Sequence, residues 1–185
     1  MRLEKLVAAR PKGIVLREKD LSPESYKKLA LTALDICKRY NVPCILHGFW
    51  QAAKALQAKA VHLPLPVLRT LSPEERAGFV ILGASCHSAR EAMEAQKLGC
   101  TYITAGHVFE TGCKKGIPGR GLDFLREVCQ CVSLPVYGIG GIDKENIPQV
   151  RNAGAAGACV MSGAMTCRDV FAYLAAFQEE PNEVL

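Results

Sequence analysis

Val136-Tyr137-Gly138-Ile139-Gly140-Gly141-Ile142 is a short apolar run that stops on two adjacent glycines and then turns polar. The next apolar run repeats the plan, ending Val160-Met161-Ser162-Gly163-Ala164. A strand apolar on both faces belongs in a parallel sheet covered by helices. Glycines at its end let backbone N–H groups approach an anion closely, and a helix starting there adds the positive end of its dipole. One Gly-Gly alone reads as an ordinary turn. Two consecutive strand ends of this kind, as the last two of a series, form the usual phosphate site of a (β/α) barrel. Gly141, Met161, Ser162 and Gly163 are therefore candidate phosphate-binding residues.

The same alternation of apolar run and amphipathic segment extends back toward the N-terminus. Strands are expected at residues 13–16, 42–46, 60–63, 79–84, 102–105, 136–139 and 158–161. Ser22 followed by Pro23 marks the start of a helix reaching Arg39. Further helices are expected near 50–56, 88–98, 122–132, 146–152 and 168–177, and Ser88-x-x-Glu91 resembles a capping box. Leu3, Leu6 and Val7 share a face of a first helix. The pattern predicts one α/β domain over residues 1–185, a TIM (β/α)8-type barrel lacking its first strand. An open doubly wound sheet is the competing architecture, but polar residues recur after nearly every strand, which favours the barrel.

Bulk composition excludes several classes. The 185 residues carry 23 Lys+Arg against 18 Asp+Glu, a surplus of +5 spread along the chain. Aromatic residues make up only 6%, so a nucleic-acid groove with stacking platforms is not expected. A mild positive field suits an anionic small molecule. Nine cysteines without a Cys-x-x-Cys, several inside apolar runs (Cys44, Cys100, Cys159), read as reduced thiols. No run approaches the roughly 20 apolar residues that cross a bilayer. A cytoplasmic protein with no membrane partner is the expectation.

The most informative loop is Gly106-His107-Val108-Phe109-Glu110-Thr111-Gly112-Cys113-Lys114-Lys115-Gly116-Ile117-Pro118-Gly119-Arg120-Gly121. It is long, glycine-rich and cationic, and it follows a strand. Such a loop closes over an anion and brings Thr111 and Lys114 to it; alternatively Lys114, Lys115 and Arg120 form a solvated basic face. His107 sits at the strand end, where an imidazole could give or take a proton. His47 also ends a strand, His62 lies between Val61 and Leu63, and His87 reads as a helix-start residue. Arg17-Glu18-Lys19 either binds an anionic group through Arg17 and Lys19 or closes the barrel mouth as an ion-pair cluster. Ser85 is a candidate hydrogen-bond donor to substrate. No His/Asp/Glu set has metal-ligand spacing, and no metal or other cofactor is expected.

Leu16-Arg17-Glu18-Lys19-Asp20, the loop from Gly106 to Gly116, Ile139-Gly140-Gly141-Ile142 and Met161-Ser162-Gly163 resemble the thiamine phosphate synthase/TenI superfamily, in order, over residues 13–171. In synthases of that family, strand ends carry aspartates that hold Mg²⁺ and so neutralise a diphosphate. At those positions this chain reads His47-Gly48 and Pro64-Leu65-Pro66. The synthase loop usually begins Gly-Pro, whereas here it begins Gly106-His107, as in the TenI branch. The resemblance therefore implies a thiazole tautomerase, an isomerase with His107 as its acid/base group and a phosphorylated thiazole as substrate. Thr111, Lys114, Ser85 and Arg17 would then lie around the ring and carboxylate, with Cys113 a further substrate-binding candidate. A Mg²⁺-dependent synthase and a non-catalytic thiazole phosphate-binding regulator are the alternatives. A homo-oligomer is compatible with the sequence.

Overall fold

The computed structural model describes residues 1–114 and 116–178, leaving out the side chain of Cys113. The chain runs α1 (Arg2–Ala8), β1 (Ile14–Leu16), α2 (Pro23–Arg39), β2 (Cys44–His47), α3 (Trp50–Ala55), β3 (Ala60–Pro64), α4 (Leu65–Thr70), α5 (Pro73–Ala77) and β4 (Ile81–Cys86). It continues through α6 (Ala89–Lys97), β5 (Tyr102–Gly106), α7 (Gly121–Cys131), β6 (Val136–Ile139), α8 (Ile147–Asn152), β7 (Gly157–Cys159), α9 (Ser162–Thr166) and α10 (Val170–Ala175). The seven strands pair in parallel and in chain order, with β1 and β7 at the edges. This is the expected barrel architecture, one strand short.

Strand alternation sorts the side chains into two layers. Leu46, Val61, Leu63, Leu82, Ala84, Ile103 and Val136 face the helices and share one core with Tyr26, Ala30, Ala92, Leu125 and Val128. The opposite, concave face carries a much smaller apolar cluster, Ile45, Ala60 and Tyr102 backed by Ile81 and Tyr137. His62, Ser85 and Thr104 share that concave side, so its upper part is polar. Across the missing strand the helical layer stays continuous. Leu6 of α1 packs with Ala164, Val170 and Leu174, and the Arg2 guanidinium donates to the Ala164 carbonyl over 2.9 Å.

Helix starts follow their sequence signals. Ser22 Oγ accepts the Ser25 N–H at 3.2 Å with Pro23 in the first turn. Ser88 likewise accepts the Glu91 N–H, but the Glu91 carboxylate takes the His87 N–H, so the expected capping box is only half made. Strand boundaries also shift. β4 starts at Ile81 rather than residue 79, because Val80 lies 71% exposed outside the ladder. β7 ends at Cys159 rather than residue 161, since its pairing with β6 stops at Ile139–Cys159 and, among the described residues, no strand pairs its other edge. Helices α4 and α5 were not anticipated, and Pro66 and Pro73 sit in their first turns. Among the described residues no helix is long and apolar enough to cross a membrane. Cys44 and Cys100 are buried free thiols and Cys159 is half-buried.

Candidate functional site

The C-terminal ends of β1 to β7 bring most of the expected residues to one mouth. At its β1–β2 side, Tyr26 of α2 is fully buried and bolts two strand ends together. Its hydroxyl donates to the Leu16 carbonyl at 2.9 Å and accepts the His47 N–H at 3.1 Å. Above it, Arg17 and Lys19 are exposed, and no acidic side chain pairs with either among the described residues. The ion-pair cluster that Arg17-Glu18-Lys19 allowed is therefore not formed.

Their charges register on the neighbouring imidazoles. Burial, then Arg17 and Lys19, push the pKa of His47 down to about 4. Burial, then His47 and Arg17, push that of His62 down to about 3. The two rings stack with centroids 5.4 Å apart. His62 is only 3% exposed, pointing into the barrel, with Nδ1 2.9 Å from the Tyr102 hydroxyl and Nε2 2.8 Å from Ser85 Oγ. Thr104 Oγ1 lies 3.5 Å from the same Nε2.

A neutral buried histidine ties stability to pH. Below pH ~6.5 the unfolded chain takes up protons that native His62 refuses until its own far lower pKa, so stability falls as pH drops. For His62 the loss between pH 6.5 and 5 is expected to be about 1.5 kcal/mol; half-buried His47 adds a smaller share. Urea midpoints of wild type and His62→Asn at those two pH values check this. Equal acid losses in both proteins would rule the assignment out.

Across the mouth, the 106–121 loop is built on a hydrogen-bonded stem. The Val108 and Phe109 N–H groups donate to the Ile139 and Gly140 carbonyls at 2.9 and 3.0 Å. The Arg120 and Gly121 N–H groups close the stem on His107 and Val108. The glycines at the end of β6 have a role that the sequence reading did not assign. A Cβ on Gly140 would lie 2.3 Å from His107 Cβ, and one on Gly141 would lie 2.4 Å from the Glu110 carbonyl oxygen. Both have positive φ, +97° and +65°. They are glycine so that the loop stem can lie directly on them. At the next strand end Met161 and Ser162 are exposed, while a Cβ on Gly163 would strike the Tyr173 hydroxyl.

Loop residues Thr111, Gly112, Lys114 and Ile117 line an open cleft of about 460 Å³ with Glu110, Gly116 and Pro118. The Cys113 side chain and Lys115 lie outside the described residues. His107 is 6% exposed, its Nε2 donates to the Ile117 carbonyl at 3.2 Å, and its Nδ1 is buried with no partner among the described residues. It holds the loop's return rather than lying open in the mouth. His87, expected only to start a helix, donates from Nδ1 to the Gly106 carbonyl at 2.8 Å and braces the stem. Sequence reasoning missed Tyr102 and Thr104, whose hydroxyls sit in an otherwise apolar strand.

Three comparisons bear on this arrangement. The profile of the family described as thiamine monophosphate synthase (TMP-TENI) matches residues 1–164. The thiamine-phosphate synthase 2 of Streptococcus pneumoniae is 34% identical over 178 residues, 93% of this chain and 82% of that protein. The thiamine-phosphate synthase of Coprothermobacter proteolyticus is 35% identical over 94% of this chain and 82% of its own length. The solved thiamine phosphate pyrophosphorylase of Pyrococcus furiosus superposes with a TM-score of 0.82 at 29% identity, covering 96% of this chain and 86% of that one. These relatives overturn the expectation of an isomerase. That expectation hung on two local features, His107 and the missing metal carboxylates, whereas the likeness to proteins named as synthases runs through nearly the whole chain.

Proposed function

Because the chain belongs to the thiamine monophosphate synthase family, we propose that it is a transferase of thiamine biosynthesis that joins a pyrimidine diphosphate to a thiazole phosphate. The observation that carries this reading is the agreement of relatives named thiamine-phosphate synthase over most of the chain. The joining step forms a C–N bond from the thiazole nitrogen and breaks a C–O bond, and diphosphate departs with the electron pair. The site must therefore meet growing negative charge on the leaving group.

A resident Mg²⁺ does not fit the residues present. The strand ends where the family's carboxylates are expected read His47-Gly48 and Pro64-Leu65-Pro66, and among the described residues no group of three His, Cys, Asp or Glu side chains could hold a metal. Fixed cations take the place of metal charge in this proposal. Arg17, Lys19 and Lys114 meet the diphosphate, with Thr111 alongside in the loop. The phosphate of the thiazole partner lies on the backbone of Gly141, Met161, Ser162 and Gly163, and Ser85 donates to the substrate from the barrel interior. His107 holds the loop stem.

The test is direct. The two precursors are incubated with the protein, with and without added Mg²⁺, and thiamine phosphate is measured by chromatography. Formation of product in proportion to protein is the expected result. Binding of thiazole phosphate with no joined product under either condition would defeat the transferase reading.

A further inference from the structure

Inside the barrel, three side chains form a chain of contacts that ends at the mouth. Tyr102 Oη lies 2.9 Å from His62 Nδ1, and His62 Nε2 lies 2.8 Å from Ser85 Oγ. The Tyr102 ring is buried and its hydroxyl contacts no other polar group among the described residues. The backbone is shaped for this contact. A Cβ on Gly83 would fall 2.3 Å from Tyr102 Cζ and 2.6 Å from His62 Nδ1, so only glycine lets the ring and the imidazole meet. Nothing in the proposed reaction so far uses Tyr102 or His62.

The direction of the hydrogen bonds follows from their chemistry. Burial drives the Tyr102 phenol well above its usual pKa and keeps His62 neutral, so the phenol holds its proton and the imidazole has one N–H. A phenol is a strong donor and a weak acceptor, because its oxygen lone pair is partly delocalised into the ring. If His62 carried its proton on Nδ1, the buried Tyr102 O–H would face an N–H and have no acceptor, a costly orphan. The competing gain, a bond from the Thr104 hydroxyl to a bare Nε2, spans 3.5 Å and is weak. Tyr102 therefore donates to Nδ1, and His62 carries its proton on Nε2.

We infer that Tyr102 and His62 are positioning residues that lock the Ser85 hydroxyl as a hydrogen-bond donor toward an acceptor oxygen of a phosphorylated substrate. The Nε2–H occupies a lone pair of Ser85 Oγ, and the Ser85 proton is left to point at the half-exposed mouth. The opposite tautomer would turn that proton inward and present a lone pair to the anion, repelling it. The inference rests on the barrel mouth being the substrate site proposed above, but its central element is read without any turnover.

The experiment labels the four histidines of the full chain with ¹⁵N and records long-range ¹H–¹⁵N correlations at neutral pH, with His62 identified by its loss in His62→Asn. Expected is a single His62 tautomer protonated at Nε2, collapsing toward a mixture in Tyr102→Phe. Calorimetric titration with inorganic pyrophosphate is then compared in wild type, Tyr102→Phe, Ser85→Ala and the double variant. Ser85→Ala should weaken binding by about tenfold, the worth of one hydrogen bond to a charged oxygen, and Tyr102→Phe by about twofold, the share of His62 that passes to the other tautomer. The double variant should bind no worse than Ser85→Ala, because Tyr102 acts only through Ser85. A wild-type His62 protonated at Nδ1, or single-variant losses that multiply, would overturn the relay. The expected tautomer in a protein that forms no thiamine phosphate would instead count against the transferase reading alone.

Discussion

Tyr26→Ala is expected to lower stability by at least about 4 kcal/mol. Tyr26 is fully buried and stacks on Phe49 with ring centroids 4.2 Å apart. Removing the ring forfeits that packing and leaves a cavity, which for an aromatic residue costs roughly 3–5 kcal/mol. The hydroxyl adds a second loss, since it satisfies both the Leu16 carbonyl and the His47 N–H. Tyr26→Phe separates the two, keeping the ring and dropping the bonds, and should cost about 1–3 kcal/mol. Urea denaturation of the three proteins measures this. If Tyr26→Phe were as damaging as Tyr26→Ala, the packing contribution would be wrong. If it were neutral, the strand ends would be held by something else. Because β1 is an edge strand of three residues, its position beside β2 depends on this bolt more than an inner strand would. The Arg17 that follows it depends on the bolt too.

Arg17→Ala is expected to reduce kcat/KM for thiamine phosphate formation about a hundredfold, the counterpart of losing about 3 kcal/mol of charge-assisted contact to a phosphoryl group. Arg17 has no acidic partner among the described residues, and its charge reaches both His47 and His62 in the barrel mouth. An unpaired cation at a strand end costs the fold little to remove, so the urea midpoint should barely move. Arg17→Lys keeps the charge but loses the planar fork, and should recover only part of the rate. Steady-state kinetics on the three proteins decide the matter. A rate within threefold of wild type for Arg17→Ala would remove Arg17 from the site.

The isomerase expectation shows where residue-level reading overreaches. Two local observations pointed that way, an imidazole at a strand end and the loss of metal carboxylates. Neither is specific to one reaction on this fold, because a barrel lends its strand ends to many chemistries. The structure gives His107 a packing task, with its Nε2 on the Ile117 carbonyl and its Cβ against Gly140. From sequence alone, a histidine that anchors a loop and one that moves a proton look the same. Gly140 and Gly141 carry a related lesson. Their position at a strand end suggested anion binding, yet the atoms nearest their absent Cβ positions belong to the loop stem.

The order of the elements was legible because it rests on local physics. Short continuous apolar runs, Ser22-Pro23 and Ser88 as helix starts, and polar strand ends each act over a few residues, and together they dictate a parallel α/β barrel one strand short. They also brought Arg17, Lys19, Ser85, Thr111, Lys114, Gly141 and Ser162 to strand ends and loops. What the linear chain did not reveal are contacts between residues far apart in sequence. His62 meets Tyr102 across 40 positions, and Tyr26 ties the ends of two strands that it does not belong to. Such contacts depend on strand register and on the curl of the sheet, which set which side chains converge inside the barrel. Burial there fixes the charge state of the histidines, and that burial exists only once the chain has closed around them.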